Sequence, residues 1–287
     1  MLKSNCKVTG MKFVSVLIVM LSLCVSAAKG QSSNCGINTG ESTRVFKVGE
    51  ELKIVVSYNW FFVWTDVVDV WLKTTREVKN GKDAIRVSGF GKSRSFYDWF
   101  YQVRDIYETW LDPATLRPLF FNRDINEDGY LLKNFYTYNW DKNQIVARIQ
   151  KKKDPAYFDT ISVSPCASDA ISLIYNIRNI DFSRLSPGQS VPVQIVFDSK
   201  AHDISIKYDK KETIKVKGVG EFRCIKLSAK MVKSRAFTGK ENMFIWLTDD
   251  QNRLPIYMES PIKVGTIKAR ITEMSNLKYP LTSKISK

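Results

Sequence analysis

The chain predicts a mainly β protein, an antiparallel meander forming a curved, partly open barrel, with one central helix at about 165–179. Three observations carry this. Short runs of alternating apolar and polar residues recur between Val45 and Ile271, turn-forming residues punctuate them, and one stretch switches to a period of three to four. Strands joined directly by turns argue for antiparallel pairing rather than strand–helix units. So many strands must curl, close or split into layers, which leaves a two-sheet sandwich as the alternative.

The elements follow in order. Residues 31–44 are polar and turn-rich and read as a flexible leader, after which a single β-rich domain runs over 45–275. Leu52, Ile54, Val56 and Tyr58 share one side of a strand, and Val68, Val70 and Leu72 alternate with polar or amphipathic neighbours. Asn80-Gly81 is a strong hairpin signal. Further runs lie at 85–90, 99–110, 130–138 and 145–150. Ser164-Pro165 offers a helix start, and Ala167, Ala170, Ile171, Ile174 and Arg178 keep helical spacing, with Leu173 and Ile177 widening the apolar face. Strands resume at 191–197, 204–208, 214–216, 222–229, 243–248, 256–259 and 264–271, and 276–287 reads as a polar tail.

Residues 1–30 read as a secretory signal, with Met11 as the true start. Lys12 precedes the apolar run 13–25, and Ser26, Ala27 and Ala28 supply small residues for a peptidase. A lipoprotein anchored through Cys24 is disfavoured, because Leu23 stands where a small residue is required. The expected location is therefore the periplasm or cell envelope.

The chain carries 44 basic and 29 acidic residues, a net charge of +15. Lys3, Lys7, Lys12 and Lys29 lie in the signal with no acid, so the remainder keeps 40 basic against 29 acidic residues, or +11. Such a surface attracts anionic envelope lipid or glycan and admits peripheral membrane contact. Export argues against nucleic acid. One histidine and five cysteines offer too few ligands for a typical metal site, and no phosphate loop or dinucleotide fingerprint calls for a cofactor. Cys166 and Cys224 are the candidate disulfide pair, with two buried free thiols as the alternative reading.

Four stretches together carry a resemblance. They are Arg104-Asp105-x-Tyr107-Glu108-x-x-x-Asp112-Pro113-x-Thr115-Leu116-x-Pro118, Arg123-Asp124-Ile125, Ser168-Asp169-Ala170-Ile171-Ser172-Leu173-Ile174-Tyr175-x-x-Arg178, and Ile245-Trp246-Leu247-Thr248-Asp249-Asp250-x-x-Arg253-x-Pro255. With these the chain resembles the exported bacterial family called domain of unknown function 3108, from about Gly49 to about Thr272. The resemblance implies an envelope-located β-rich protein without an assigned activity.

Two kinds of candidate site stand out. Trp60, Phe62, Trp64, Trp99 and Tyr101 form the expected ligand-contact set, because consecutive aromatics on strands point to both faces and one face cannot bury them all. Asp105, Glu108, Asp124, Glu127, Asp249 and Asp250 are candidate acids for glycan chemistry. Arg104 with Asp105, Arg123 with Asp124, and Asp250 with Arg253 instead suggest structural charge pairs, with no catalytic residue. His202 reads as a turn histidine. The function expected is non-enzymatic binding of an apolar or amphipathic envelope component, lipid or glycolipid. A glycan-acting enzyme using Asp/Glu pairs and a scaffold for other envelope proteins are the alternatives.

Overall fold

The computed structural model describes residues 40–60, 63–231, 239–240, 242–263 and 265–286. The expected signal peptide and most of the leader lie outside the described residues. Sixteen strands form a single unclosed sheet. In chain order they are β1 (Glu51–Trp60), β2 (Val63–Lys79), β3 (Lys82–Ser93), β4 (Arg104–Leu111), β5 (Pro118–Glu127), β6 (Tyr130–Asn139), β7 (Gln144–Lys151) and β8 (Tyr157–Ser162). After the two-residue β9 (Ala167–Ser168) comes the one α-helix among the described residues, α1 (Ala170–Arg178). The rest are β10 (Ser190–Phe197), β11 (Lys200–Val216), β12 (Gly220–Lys230), β13 (Asn242–Thr248), β14 (Pro255–Pro261), β15 (Thr266–Ser275) and β16 (Lys284–Ser286).

The sheet is two meanders joined edge to edge. β1 to β8 follow one another, β10 to β15 do likewise, and β1 pairs antiparallel with β15 to join them. β9 adds to β10 in the parallel sense, and β16 pairs with β12. Asn80 and Gly81 both have positive φ (51° and 74°), the geometry of the tight hairpin expected between β2 and β3.

Two buried clusters meet at α1. One joins Ile85 and Val87 of β3, Phe121 of β5, Tyr136 of β6 and Ile149 of β7 to Ile171 and Tyr175 of the helix. The other gathers Ile177 with Ile206 of β11, Leu227 of β12 and Leu247 of β13. A helix that packs on strands from both meanders must lie within the curve of the sheet, so the curled sheet, not the two-sheet sandwich, is the arrangement found.

Several local expectations are corrected. The helix starts at Ala170, not near 165: Asp169 is its N-cap, its carboxylate accepting the N–H groups of Ile171 and Ser172 while the Ser172 hydroxyl takes the Asp169 N–H. Residues ahead of it form β9. In β1 the alternation changes phase after Ile54, so Val55 and Ser57 are buried and Val56 is half-exposed; the register with β15 shifts at Lys53/Ile54 and that with β2 at Val56/Ser57. The run read as a strand over 99–110 begins pairing regularly only at Arg104; Ser95–Tyr97 is a 3-10 turn. β5 and β8 escaped the pattern reading altogether. His202 lies within β11, opposite Ile195, rather than in the turn.

The tail is not loose. Ser283 is buried and its N–H and hydroxyl both donate to Asp250, while Lys278 caps the carbonyls of Glu41, Ser42 and Arg44. The end of the leader is therefore held as well.

Candidate functional site

The recurrent motifs prove to be structural fittings. The Asp112 carboxylate accepts the Ala114 and Thr115 N–H groups and the Thr115 hydroxyl, shaping a turn in which buried Leu116 has φ 56°. Asp169, fully buried, caps α1 and also takes the Thr109 hydroxyl at 2.8 Å. Arg178 ends the helix in a bidentate pair with Glu50 at 2.6 and 2.8 Å, both side chains wholly buried. Asp250 accepts from the Thr248 hydroxyl and from the Asn252 and Arg253 N–H groups.

The three sequence-neighbour charge pairs are not formed between side chains. Arg104 binds Asp98, with Arg104 Nη2 2.7 Å from Asp98 Oδ2. Arg123 binds Asp198 at 3.0 Å and Asp124 binds Lys133 at 2.9 Å. The Arg253 guanidinium donates to the carbonyls of Arg178 and Ile180, so what Arg253 gives Asp250 is its backbone N–H alone. For the first two pairs the reason is the pleat: successive residues on a strand point to opposite faces, so Arg104 and Asp105, or Arg123 and Asp124, face away from each other.

The candidate acids do not converge. Asp124 goes to Lys133, Asp249 to Lys211 at 2.9 Å, and Glu108 to Arg86. Asp105 has an acidic neighbour, Glu127, one strand away. Burial pushes the Asp105 carboxyl up to about 7, and Glu127 adds to this against the pull of the Asn126 N–H and of Arg123. Glu127 also accepts the Tyr101 hydroxyl at 3.2 Å.

The expected aromatic contact set divides. Phe62 lies outside the described residues, and of Trp60 only the backbone is described. Trp64 is half-exposed beneath the Lys268 ammonium, 3.8 Å from the ring centre. Trp99 is 80% exposed and meets Phe100 edge-on. The loop carrying Trp99 and Tyr101 leans on the start of β2 through the hydroxyls of Thr65 and Tyr97. Trp64, Trp99 and Tyr101 stand apart from the apolar pocket that the fold builds.

That pocket has a volume of about 280 Å³ and lies between α1 and the second meander. α1 has two apolar stripes. Ile171 and Tyr175 enter the core shared with the first meander, while Ala170, Leu173, Ile174 and Ile177 line the pocket. Opposite them stand Ile195 and Phe197 of β10 and Ile204 and Ile206 of β11. Ala229 and Lys230 of β12, Ile245 of β13 and the methionines 231, 243 and 258 complete it. Leu173, Ile174, Met243 and Met258 are only half-buried. Met is the side chain that adapts best to irregular apolar contacts, and three of the seven are here. The width of the helix's apolar face was visible in the sequence through Leu173 and Ile177, but not that it is too broad for one packing partner and leaves a pocket.

Cys224 is a free thiol, fully buried in β12, and burial pushes it up to about 12. The expected Cys166–Cys224 disulfide is therefore absent; Cys166 is disulfide-bonded, but not to Cys224.

An unclosed, strongly curved sheet wrapped around one helix defines a β-barrel-like class of protein. The family described as "Protein of unknown function (DUF3108)" matches residues 53–272, and the chain belongs to it. Among solved structures it is similar to a beta-barrel-like protein of domain of unknown function DUF1849 from Brucella abortus. The TM-score is 0.54 at 7% identity, over 80% of this chain and 98% of that one, a likeness of fold alone. No curated protein matches the chain.

Proposed function

We propose that the protein is an exported, non-enzymatic binder of an apolar or amphipathic component of the cell envelope, a lipid or glycolipid. The apolar pocket beside α1 carries this reading. Its volume of about 280 Å³ exceeds the roughly 150 Å³ of an apolar cavity that admits benzene, and it lies near the lower bound of small-molecule sites, about 300 Å³. It therefore suits one acyl chain or ring system rather than a many-chained lipid. Each half-buried side chain that a ligand covers, Leu173 or Met243 for example, adds on the order of 1 kcal/mol.

The exposed aromatics Trp64, Trp99 and Tyr101 serve a second role here, as a peripheral contact with the membrane from which the ligand is taken. Rings with an apolar body and a polar edge suit the bilayer interface.

The test is mass spectrometry of organic extracts from protein exported through its own signal and purified without detergent. A stoichiometric lipid in the wild type, lost when Ile174→Trp fills the pocket, is the expected result. A protein that arrives empty and takes up no apolar probe afterwards would overturn the reading.

A glycan-acting enzyme would have to use Asp105 and Glu127, the one pair among the candidate acids brought together. That reading expects Glu127→Gln to abolish release of reducing ends from envelope polysaccharide.

A further inference from the structure

The antiparallel order puts alternate connections on one rim of the sheet. The connections β1–β2, β3–β4, β5–β6, β7–β8, β10–β11, β12–β13 and β14–β15 all turn there, and the other turns between paired strands lie on the opposite rim. The two rims differ. Among the described residues, the five aromatic side chains that are nearly half exposed or more all stand on the first rim. They are Phe96, Trp99 and Phe100 in the β3–β4 connection and Tyr157 and Phe158 at the start of β8. On the opposite rim Trp140 is half-buried, donates its N–H to the Pro118 carbonyl at 2.8 Å and lies beneath Arg117.

The β3–β4 connection is built to hold its rings outward. Arg104 grips the Asp98 carboxylate at 2.7 and 3.1 Å, and Arg94 turns back to Asp69 at 2.9 and 3.1 Å. The Ser93 hydroxyl accepts the Val103 N–H at 2.8 Å, and the hydroxyls of Tyr97 and Thr65 bond to each other. From the neighbouring turn the Asp128 N–H donates to the Gln102 carbonyl at 2.8 Å. The polar groups are thus tied to the sheet, while Phe96, Trp99 and Phe100 stay 66–80% exposed. Cations stand on the same rim. Lys151, Lys152 and Lys153 at β7–β8 and Lys200 at β10–β11 are exposed and form no salt bridge among the described residues. Of the described acids in these connections, Asp98 and Asp198 are paired with Arg104 and Arg123, which leaves Asp128 and Asp154.

We propose that this rim docks on a bilayer carrying anionic lipid, the β3–β4 rings entering among the acyl chains while the lysines meet head-group phosphates. Projecting rings on separate turns offer no single groove to a protein partner, but all of them can enter one fluid apolar medium. Aromatic tips beside lysines are also the composition that suits the bilayer interface. The proposal rests on the reading that the protein works at a membrane, and not on the pocket being occupied. Phe197, Met231 and Met243, which line the pocket, stand at or beside strand ends of the same rim, so the docked face is the one nearest the pocket.

The experiment sediments the exported protein with vesicles of phosphatidylcholine alone and of equal parts phosphatidylcholine and phosphatidylglycerol. Binding to the anionic vesicles is expected to be the tighter. Lys152→Gln with Lys153→Gln should weaken it by about fivefold for each lysine and leave the neutral vesicles unaffected. Trp99→Ala with Phe100→Ala should weaken binding to both at least about tenfold. All four side chains are exposed, so these variants should keep the wild-type thermal midpoint. Acyl chains carrying bromine quench a tryptophan that enters among them. The wild type is expected to lose fluorescence on brominated vesicles, and Trp99→Phe to lose much less.

A protein that stays in solution with both vesicles would overturn the proposal. So would binding to anionic vesicles that the Trp99 and Phe100 changes leave untouched, since that is adsorption by charge alone. Neither result bears on the pocket, where a lipid extracted from the wild type and lost in Ile174→Trp would still stand. An empty pocket with vesicle binding intact would sink the pocket reading and leave the docking rim in place.

Discussion

Glu50, just ahead of β1, and Arg178, at the end of α1, form a closed pair with no solvent contact. The Asn252 carbonyl accepts from the same guanidinium, and Tyr175 and Phe46 lie against it at 5.0 and 5.7 Å. Removing one partner strands the other charge in the interior, which costs about 3–5 kcal/mol. Glu50→Ala is therefore expected to lose that much stability in urea denaturation, and Glu50→Leu combined with Arg178→Met less than the sum of the single changes. A loss under about 1 kcal/mol for Glu50→Ala would refute the argument. Arg178 was visible in the sequence as part of a motif, but Glu50, 128 residues away, was not. Nothing in either local pattern encodes a partner at that separation.

At the level of elements, β4 and β5 hold the carboxyl that makes stability depend on pH in an unusual direction. Asp105 is protonated more readily folded than unfolded, with a folded value of about 7 against an ordinary value near 4. Its contribution is thus complete below about pH 4 and is lost as pH rises through about 7. Asp169, raised to about 6 by its burial at the helix cap, acts in the same sense. Asp98 opposes them at the acid end, held down at about 2 chiefly by Arg104. Stability is expected to fall by a few kcal/mol between about pH 5 and 8, since a tenfold difference in proton affinity between folded and unfolded chain is worth roughly 1.4 kcal/mol. Asp105→Asn keeps an acceptor for the Asn126 N–H and should flatten the part of that curve around pH 7. A wild-type profile that rises over this range, or a variant that follows it unchanged, would count against the assignment. The same strands show why neighbouring Arg and Asp were misread as partners. The pleat sends them to opposite faces, and each finds its partner elsewhere, as Arg123 does on the β10–β11 turn and Asp124 on β6.

For the whole molecule, the hold between distant parts of the sheet depends on segments that look expendable. The polar tail holds the Asp250 loop through Ser283, accepts the Asn252 amide on the carbonyls of Tyr279 and Pro280, and adds β16 beside β12. The β10–β11 hairpin reaches the other meander: Asp198 pairs with Arg123, and the Ser199 N–H donates to the Tyr136 hydroxyl at 3.2 Å. Truncation after Ser275 should lower the thermal midpoint by more than about 5 °C, since each kcal/mol is worth roughly 2–4 °C in a domain of this size. Calorimetry on the truncated chain checks this, and an unchanged midpoint would show the tail to be passive.

The alternation of apolar and polar residues, the Asn80-Gly81 turn and the single helical stretch were enough to indicate an antiparallel sheet with one helix, curled barrel or sandwich, and the motifs were enough to indicate the family. These are local or short-range signals, and periodicity reports them directly. The pocket was decided only by tertiary structure, because it is the space left where a helix with two apolar stripes meets chain segments from Ile195 to Met258. The aromatics drew attention by being consecutive, but a loop, not a strand, carries Trp99 and Tyr101, and its placement keeps them outside the pocket. Which apolar side chains remain uncovered is settled by how the layers meet, and no single stretch of sequence contains that information.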